Sequence, residues 1–213
     1  AALDEAQARG FIEMGGGRLT FRHPLLRSAA WSVATAAQRR DAHRALAGAL
    51  PAGPDQVLQA AAATAGRNDT LAEELAAVAV SMRARSGLAA ASAAFERAAA
   101  LSKDPDRAAG ALADAVVVAN LAGNTERARA LGQRALDDGP ARARVLHTLG
   151  QVEEFSGSIV RAAELQEEAA REGTGLLRAR ALHGIVVIRY RLGDMAGMLA
   201  AAERLAEVAD EAD

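Results

Sequence analysis

The chain is predicted to be mainly α-helical, an α-solenoid of stacked helix pairs preceded by a small module with a β-hairpin. Three observations predict it. Gly87, Gly123, Gly157 and Gly193 recur at spacings of 36, 34 and 36 residues, each between two segments rich in alanine and leucine. Counted from each glycine, position −11 holds Ala76, Leu112, Leu146 and Leu182, and position −8 holds Ala79, Ala115, Leu149 and Ile185. Position +8 holds Phe95, Leu131, Leu165 and Ala201, and +12 holds Ala99, Ala135, Ala169 and Leu205, so both helices of each unit have a fixed apolar face. The third observation is that the first 50 residues lack this register and alternate around a glycine turn instead.

In order, Ala2 to Arg9 reads as a short helix. Phe11 to Met14 and Arg18 to Phe21 are two short alternating runs on either side of Gly15-Gly16-Gly17, a hairpin signal. Pro24 suits the first turn of a helix reaching Val33, because its missing N–H would have been unpaired there anyway. Thr35 with Gln38 makes a capping box, and apolar Ala42, Leu46 and Leu50 follow at helical spacing. Residues 1–50 therefore form a winged-helix-like module, its parts reordered or its first helix missing. Pro51 to Pro54 breaks the chain, and 51–69 is a linker with a weak helix from Asp55 to about Ala65. The repeats occupy 70–213 as about four helix pairs. Thr70 and Glu73 are read as a second capping box, with that helix running to Ser86. The four glycines are placed at turns, where a left-handed residue costs little only without a side chain. Pro105 and Pro140 fall at junctions between units.

This register resembles the tetratricopeptide repeat, whose period is about 34 residues. The likeness is degenerate: the large aromatic residues of the family's first helices are missing, and Gly150 is the only glycine at its usual position there. The alternative is an irregular α-bundle. The composition, 51% hydrophobic and 3% aromatic, implies a core of Ala, Leu and Val with closely approaching helices. Only Lys103 among 25 basic residues is a lysine, which is ascribed mainly to codon usage. A net charge of −2 and a pI near 6.1 argue against holding nucleic acid by bulk charge. There is no cysteine and no long apolar run, so the expected setting is a reducing, cytoplasmic one with no membrane partner. The chain starts without Met and stops in a helical stretch, as a piece of a longer protein would.

No catalytic residues are assigned. A phosphate-binding loop, His-Glu-x-x-His and Gly-x-Ser-x-Gly are all absent, and His23, His43, His147 and His183 are scattered without ligand spacing, so no metal site is read. Glu73/Glu74, Glu153/Glu154 and Glu167/Glu168 are assigned to solvated helix surface. One internal echo stands out. Arg142-Ala-Arg144-Val-Leu-His147 recurs 36 residues later as Arg178-Ala-Arg180-Ala-Leu-His183. In a tetratricopeptide array this register sets Arg144, His147, Gln151 and Glu154 on the concave surface beside Arg180, His183 and Tyr190. These seven form the candidate ligand-binding site, a basic stripe for an acidic ligand or a peptide carboxylate. Alternatively, they are hydrated and the echo records repeat duplication alone.

The segment Phe21-Arg22-His23-Pro24-Leu25-Leu26-Arg27-Ser28-Ala29-Ala30, followed by Gln38 to Ala47, resembles the end of the ATPase region of large, MalT-like LuxR-family regulators. The phrase from Ala91 to Ala100, with Phe95-Glu96-Arg97-Ala98, is similar to their first sensor repeat. The resemblance implies the central part of an ATP-dependent transcriptional regulator. ATP or ADP would then belong to a neighbouring ATPase module, DNA contact to a carboxy-terminal domain, and an inducer or partner protein to the repeats, with oligomerisation possible. No cofactor is assigned to this segment itself. The same resemblance makes His23 a candidate for sensing nucleotide state, although an imidazole there can equally cap the next helix. Residues 1–50 carry seven arginines against four acidic residues, which makes direct DNA contact conceivable. It ranks lower because Arg39, Arg40 and Arg44 lack interleaved Asn or Gln. A self-contained tetratricopeptide adaptor is the second functional reading.

Overall fold

The computed structural model describes residues 2–16, 18–137 and 141–210. Gly17 of the hairpin turn and Pro140 of the junction lie outside the described residues. The amino-terminal part comprises α1 (Ala2–Ala8), the strands β1 (Ile12–Gly15) and β2 (Arg18–Phe21), α2 (Pro24–Val33), α3 (Ala36–Ala49) and α4 (Pro54–Ala63). Eight helices follow as four pairs: α5 (Asp69–Ala84) with α6 (Leu88–Leu101), α7 (Pro105–Leu121) with α8 (Thr125–Asp137), α9 (Arg142–Ser156) with α10 (Ile159–Glu172), and α11 (Gly175–Arg191) with α12 (Met195–Asp210). Each second helix packs against its own partner and against the first helix of the next pair, and α9 touches both α7 and α11. The array is a solenoid of tetratricopeptide-like helix pairs. Among the described residues, no helix is long and apolar enough to cross a membrane.

The register read from the glycines positions the core. Thirteen of its sixteen apolar positions are buried, and Ala76, Ala99 and Leu205 pack half-buried against the same cluster. That agreement excludes an irregular bundle. Alanine supplies much of the core, which lets helix axes approach closely. The polar groups inside are satisfied locally: Ser92 Oγ donates to Ala115 O at 2.9 Å, linking α6 to α7.

The turns differ from the single rule expected of them. Gly123 and Gly193 do take left-handed φ values of 72° and 73°. At the first turn the left-handed residue is Ser86, φ 63°, while Gly87 has φ −79° and caps α6. Gly157 has φ −144°, an extended value that any residue can adopt. Its glycine answers to space instead: a Cβ there would sit 1.9 Å from Glu153 Oε2. A polar residue just after the glycine caps the second helix in three units, through Asn124, Ser158 and Asp194. Leu88 holds that place in the first unit and caps nothing.

One further expectation is corrected. Asn68, not Thr70, caps α5, its Oδ1 accepting from Leu71 N at 3.1 Å. Asp69 then bonds Lys103 N at 2.7 Å and Ser102 Oγ at 3.1 Å, tying the start of α5 to the α6–α7 junction. The backbone donor at Lys103 holds the Asp69 carboxyl below the usual carboxylate range. In the amino-terminal module neither α2 nor α3 has a buried residue, and Leu46 is half exposed. The hairpin register pairs Ile12 with Phe21 and Gly15 with Arg18, and Ile12 is the module's only buried apolar side chain among the described residues. The Thr35–Gln38 capping box is present in both directions, and α4 packs against α3, α5 and α6.

Arginines bridge equivalent helices of successive units. Arg107 pairs with Glu73, Arg144 with Asp114 and Arg191 with Glu154 along the first helices; Arg127 and Arg134 pair with Glu96 and Arg204 with Glu167 along the second. The carboxylates assigned to solvent are therefore largely engaged, and Glu154 is only 8% exposed. Exposed pairs of this kind contribute about 0–1 kcal/mol each, so their collective role is to hold register. A further pair joins the second helix α8 to the next first helix α9: Arg129 Nε meets Glu153 Oε1 at 2.7 Å, and Glu153 Oε2 accepts from Ser158 N at 3.2 Å. The Arg129 bond holds the Glu153 carboxyl below its ordinary value. A depressed carboxylate contributes stability at neutral pH that is lost as pH falls through its folded value. Arg129→Met is thus expected to cost about 1–2 kcal/mol at pH 7, with the deficit narrowing at a pH below the ordinary carboxylate range. Urea unfolding of both proteins at the two pH values checks it.

Candidate functional site

The first helices α9 and α11 carry the two copies of the Arg-x-Arg-x-x-His phrase, and between them lies an open groove of about 630 Å³. His147, Gln151 and Glu154 on α9 and Arg180 and His183 on α11 all line it, with Phe155 at one side and Val187 and Leu205 among the apolar lining. Arg144 and Tyr190 do not. Arg144 is turned to the previous unit, where Nη1 meets Asp114 Oδ1 at 3.0 Å and Nη2 donates to Gly110 O at 2.7 Å. Tyr190 is 65% exposed outside the groove.

The two copies of the phrase have different fates. In the first, Arg142 bonds Glu168 and Glu172, Arg144 bonds Asp114, and His147 Nδ1 lies 2.8 Å from Gln166 Oε1. In the second, Arg180 and His183 are exposed and have no hydrogen bond or ion pair among the described residues. The basic stripe is accordingly reduced to Arg180 and His183, because Asp114 neutralises Arg144 and Arg191 neutralises Glu154 at 2.9 Å.

Gln166 on α10 is the residue that sequence reasoning missed. It is fully buried and lies where α9 and α11 both carry glycine: a Cβ at Gly150 would fall 2.7 Å from its Nε2, and one at Gly184 3.0 Å from its Cδ. A side chain at either position would fill this slot. Through it the amide reaches His147 twice, Oε1 to the ring and Nε2 donating to the backbone oxygen at 3.3 Å. Because the amide oxygen faces Nδ1, that nitrogen carries the proton and Nε2 keeps its lone pair. Burial pushes the His147 pKa down; the Gln166 bond opposes this, and the nearby Arg180 charge lowers it further. His147 is therefore a neutral acceptor at physiological pH. The groove thus combines an apolar lining, an exposed phenyl ring, one unpaired guanidinium and one fixed acceptor, a set suited to binding. Among the described residues, no group of three or more acidic or histidine side chains could hold a metal ion.

His23 caps α2: its Nδ1 accepts from Leu25 N at 3.2 Å, and Nε2 has no partner among the described residues. His43 is half-buried, with Nδ1 2.7 Å from Gln59 Oε1 and its ring edge-on to Trp31 at 5.3 Å.

No protein-family model matches the chain, and no curated protein matches it. A solved structure from a functional characterization of Pseudomonas aeruginosa PilF is similar in fold, with a TM-score of 0.52 over 79% of this chain and 76% of that one. The likeness is architectural. At 15% identity it extends to the succession of helix pairs and carries no residue of the groove.

Proposed function

We propose that this chain is the sensor and coupling segment of an ATP-dependent LuxR-family transcriptional regulator, whose repeats bind an inducer or a partner protein in the α9–α11 groove. One observation carries the binding part: the second copy of a duplicated phrase presents Arg180 and His183 free over an apolar lining, whereas the first copy is consumed by internal bonds. The regulator part is supported by the Phe21 to Ala30 phrase and by a helix, hairpin and two helices preceding the array. In this reading, nucleotide belongs to a neighbouring ATPase module and DNA to a carboxy-terminal domain. His23 would meet a phosphate through Nε2, since Nδ1 is already used by the cap. A single imidazole does not build a nucleotide site in this chain. Binding in the groove would shift a closed form toward an oligomerising one.

The exposed phenyl ring of Phe155, 80% exposed at the groove edge with the Arg191 guanidinium 6.0 Å from its centre, also supports the second reading, a self-contained tetratricopeptide adaptor for a peptide. Gene sequence on either side separates the two readings. A Gly-Lys-Ser/Thr loop upstream and a helix-turn-helix downstream are expected for the regulator, and their joint absence leaves the adaptor. The groove is tested by a thermal-shift screen of the purified chain against anionic metabolites and acidic peptides. A ligand at about 100 times its Kd should stabilise the protein by about 2.7 kcal/mol. That gain should vanish in Arg180→Ala/His183→Ala and persist in Tyr190→Ala; a gain kept by the double variant would place binding elsewhere.

A further inference from the structure

A second cleft, between α2, α3, α4 and α6, carries positive charge that no carboxylate of its lining balances. It is an open cleft of about 500 Å³, and Trp31, Arg39, Arg40, His43, Thr64 and Arg97 contribute to its walls. Arg40 is half-buried and makes no hydrogen bond or ion pair among the described residues. Arg39 uses one nitrogen, Nη1, on Trp31 O at 3.4 Å, and its guanidinium carbon stands 6.0 Å from the Trp31 ring centre. Arg97 satisfies carbonyls at the end of α4, its Nε and Nη2 donating to Ala61 O at 3.1 and 2.9 Å and Nη2 also to Thr64 O, which leaves Nη1 unengaged. Asp41, the one acidic residue of α3, is paired with Arg44. In the repeats Arg107, Arg127, Arg134, Arg142, Arg144 and Arg204 each meet a carboxylate of another helix, while Arg83, Arg85, Arg171, Arg178 and Arg180 have no ion pair among the described residues; what sets the cleft apart is that three guanidinium groups converge on it.

We propose that this cleft binds a polyphosphate group, either the di- or triphosphate of a nucleotide or a free inorganic polyphosphate. Three guanidinium groups around one cleft require more than one negative charge to balance them. A single carboxylate supplies one charge and two oxygens; a diphosphate supplies several charges and enough acceptor oxygens for the unused N–H groups of Arg39, Arg40 and Arg97 together. Partial burial of the arginines lowers the local dielectric and strengthens each contact. His43, held by Gln59, supports the Trp31 ring that forms one wall. The site is separate from His23, which caps the opposite end of α2 from Trp31, and from the α9–α11 groove.

Trp31 is the chain's sole tryptophan, so its emission reports on this cleft directly. Tripolyphosphate titrated to about 5 mM in about 0.1 M salt is expected to change Trp31 emission saturably. The Arg39→Ala/Arg40→Ala variant is expected to bind at least about tenfold more weakly with an unchanged far-UV spectrum, since neither side chain has an ion pair to lose. If that variant misfolds, Arg40→Gln alone should still weaken binding about threefold. Arg180→Ala should bind normally, which separates this site from the groove. ATP and ADP form the second arm: tighter binding than tripolyphosphate assigns the nucleotide, and equal binding assigns the free polyphosphate. The proposal is overturned by an unresponsive Trp31 together with no calorimetric heat, by undiminished binding in the arginine variants, or by a single-stranded oligonucleotide binding more tightly than either phosphate compound.

Discussion

Replacing Gly150 with leucine is expected to destabilise the array by about 3 kcal/mol. A Cβ at Gly150 already falls 2.7 Å from Gln166 Nε2, 2.9 Å from Cδ and 3.0 Å from Cγ. Such contacts are cheap when a flexible side chain can swing into water. Gln166 cannot, because it is fully buried and bonded to His147 through both amide atoms. Displacing it leaves the His147 Nδ1–H and the amide without partners, at about 1–3 kcal/mol per buried group. Gly150→Ala opposes that cost with about 1 kcal/mol of helix propensity, so a net loss of about 1 kcal/mol is expected. The pair makes a clean cycle. In a Gln166→Ala background Gly150→Ala should turn stabilising, by up to about 1 kcal/mol, since only the propensity gain remains. Urea unfolding followed by circular dichroism measures all four corners. If Gly150→Ala still destabilises without the glutamine, the slot is not what requires glycine.

Leu182→Ala is the second large effect, with an expected loss of about 3 kcal/mol from transfer and cavity terms together. Leu182 has no exposed surface and occupies the −11 position of the last unit, inside the continuous core. A control at Leu176, 67% exposed at the start of the same helix, should change stability by less than about 0.5 kcal/mol. The distribution of the loss is as informative as its size. In a solenoid each unit is stabilised by its neighbours, so hydrogen exchange should accelerate in α10, α11 and α12 and change least in α5 and α6. Uniform acceleration from α5 to α12 would show one cooperative unit and contradict a nearest-neighbour array.

The period of the core was legible because burial in a stacked helix pair depends on residue spacing alone. Position −11 is filled by alanine or leucine in all four units, and three of those four residues are buried. Capping was legible where the motif is local and complete, as at Thr35 and Gln38, and misread at Thr70, where Asn68 two residues earlier offered the better-placed acceptor. The turn glycines misled in a specific way. Recurrence marked their positions, but Gly123 and Gly193 serve a left-handed backbone, Gly157 the approach of Glu153, and at the first turn Ser86 takes the strain.

The candidate site was half legible. The duplicated phrase pointed to the right pair of helices, because residues one period apart on first helices face the same side. It said nothing about which copy would be spent internally. That depended on partners 30 and 26 positions away, Asp114 for Arg144 and Glu168 for Arg142, which look like ordinary surface acids in sequence. Gln166 was invisible for a related reason: a glutamine on a polar-looking helix gives no sign that two glycines on other helices make room for it.

Helix content, the four-unit period, the apolar register and the hairpin followed from the chain alone, since each rests on interactions between residues within a few positions of one another. The tertiary structure decided which charges remain free. Arg180 and His183 are left to the groove, and Arg39 and Arg40 to the amino-terminal cleft, because among the described residues no carboxylate of a packed neighbour pairs with them. Electrostatic pairing depends on distance in space, and a period in sequence does not carry that distance.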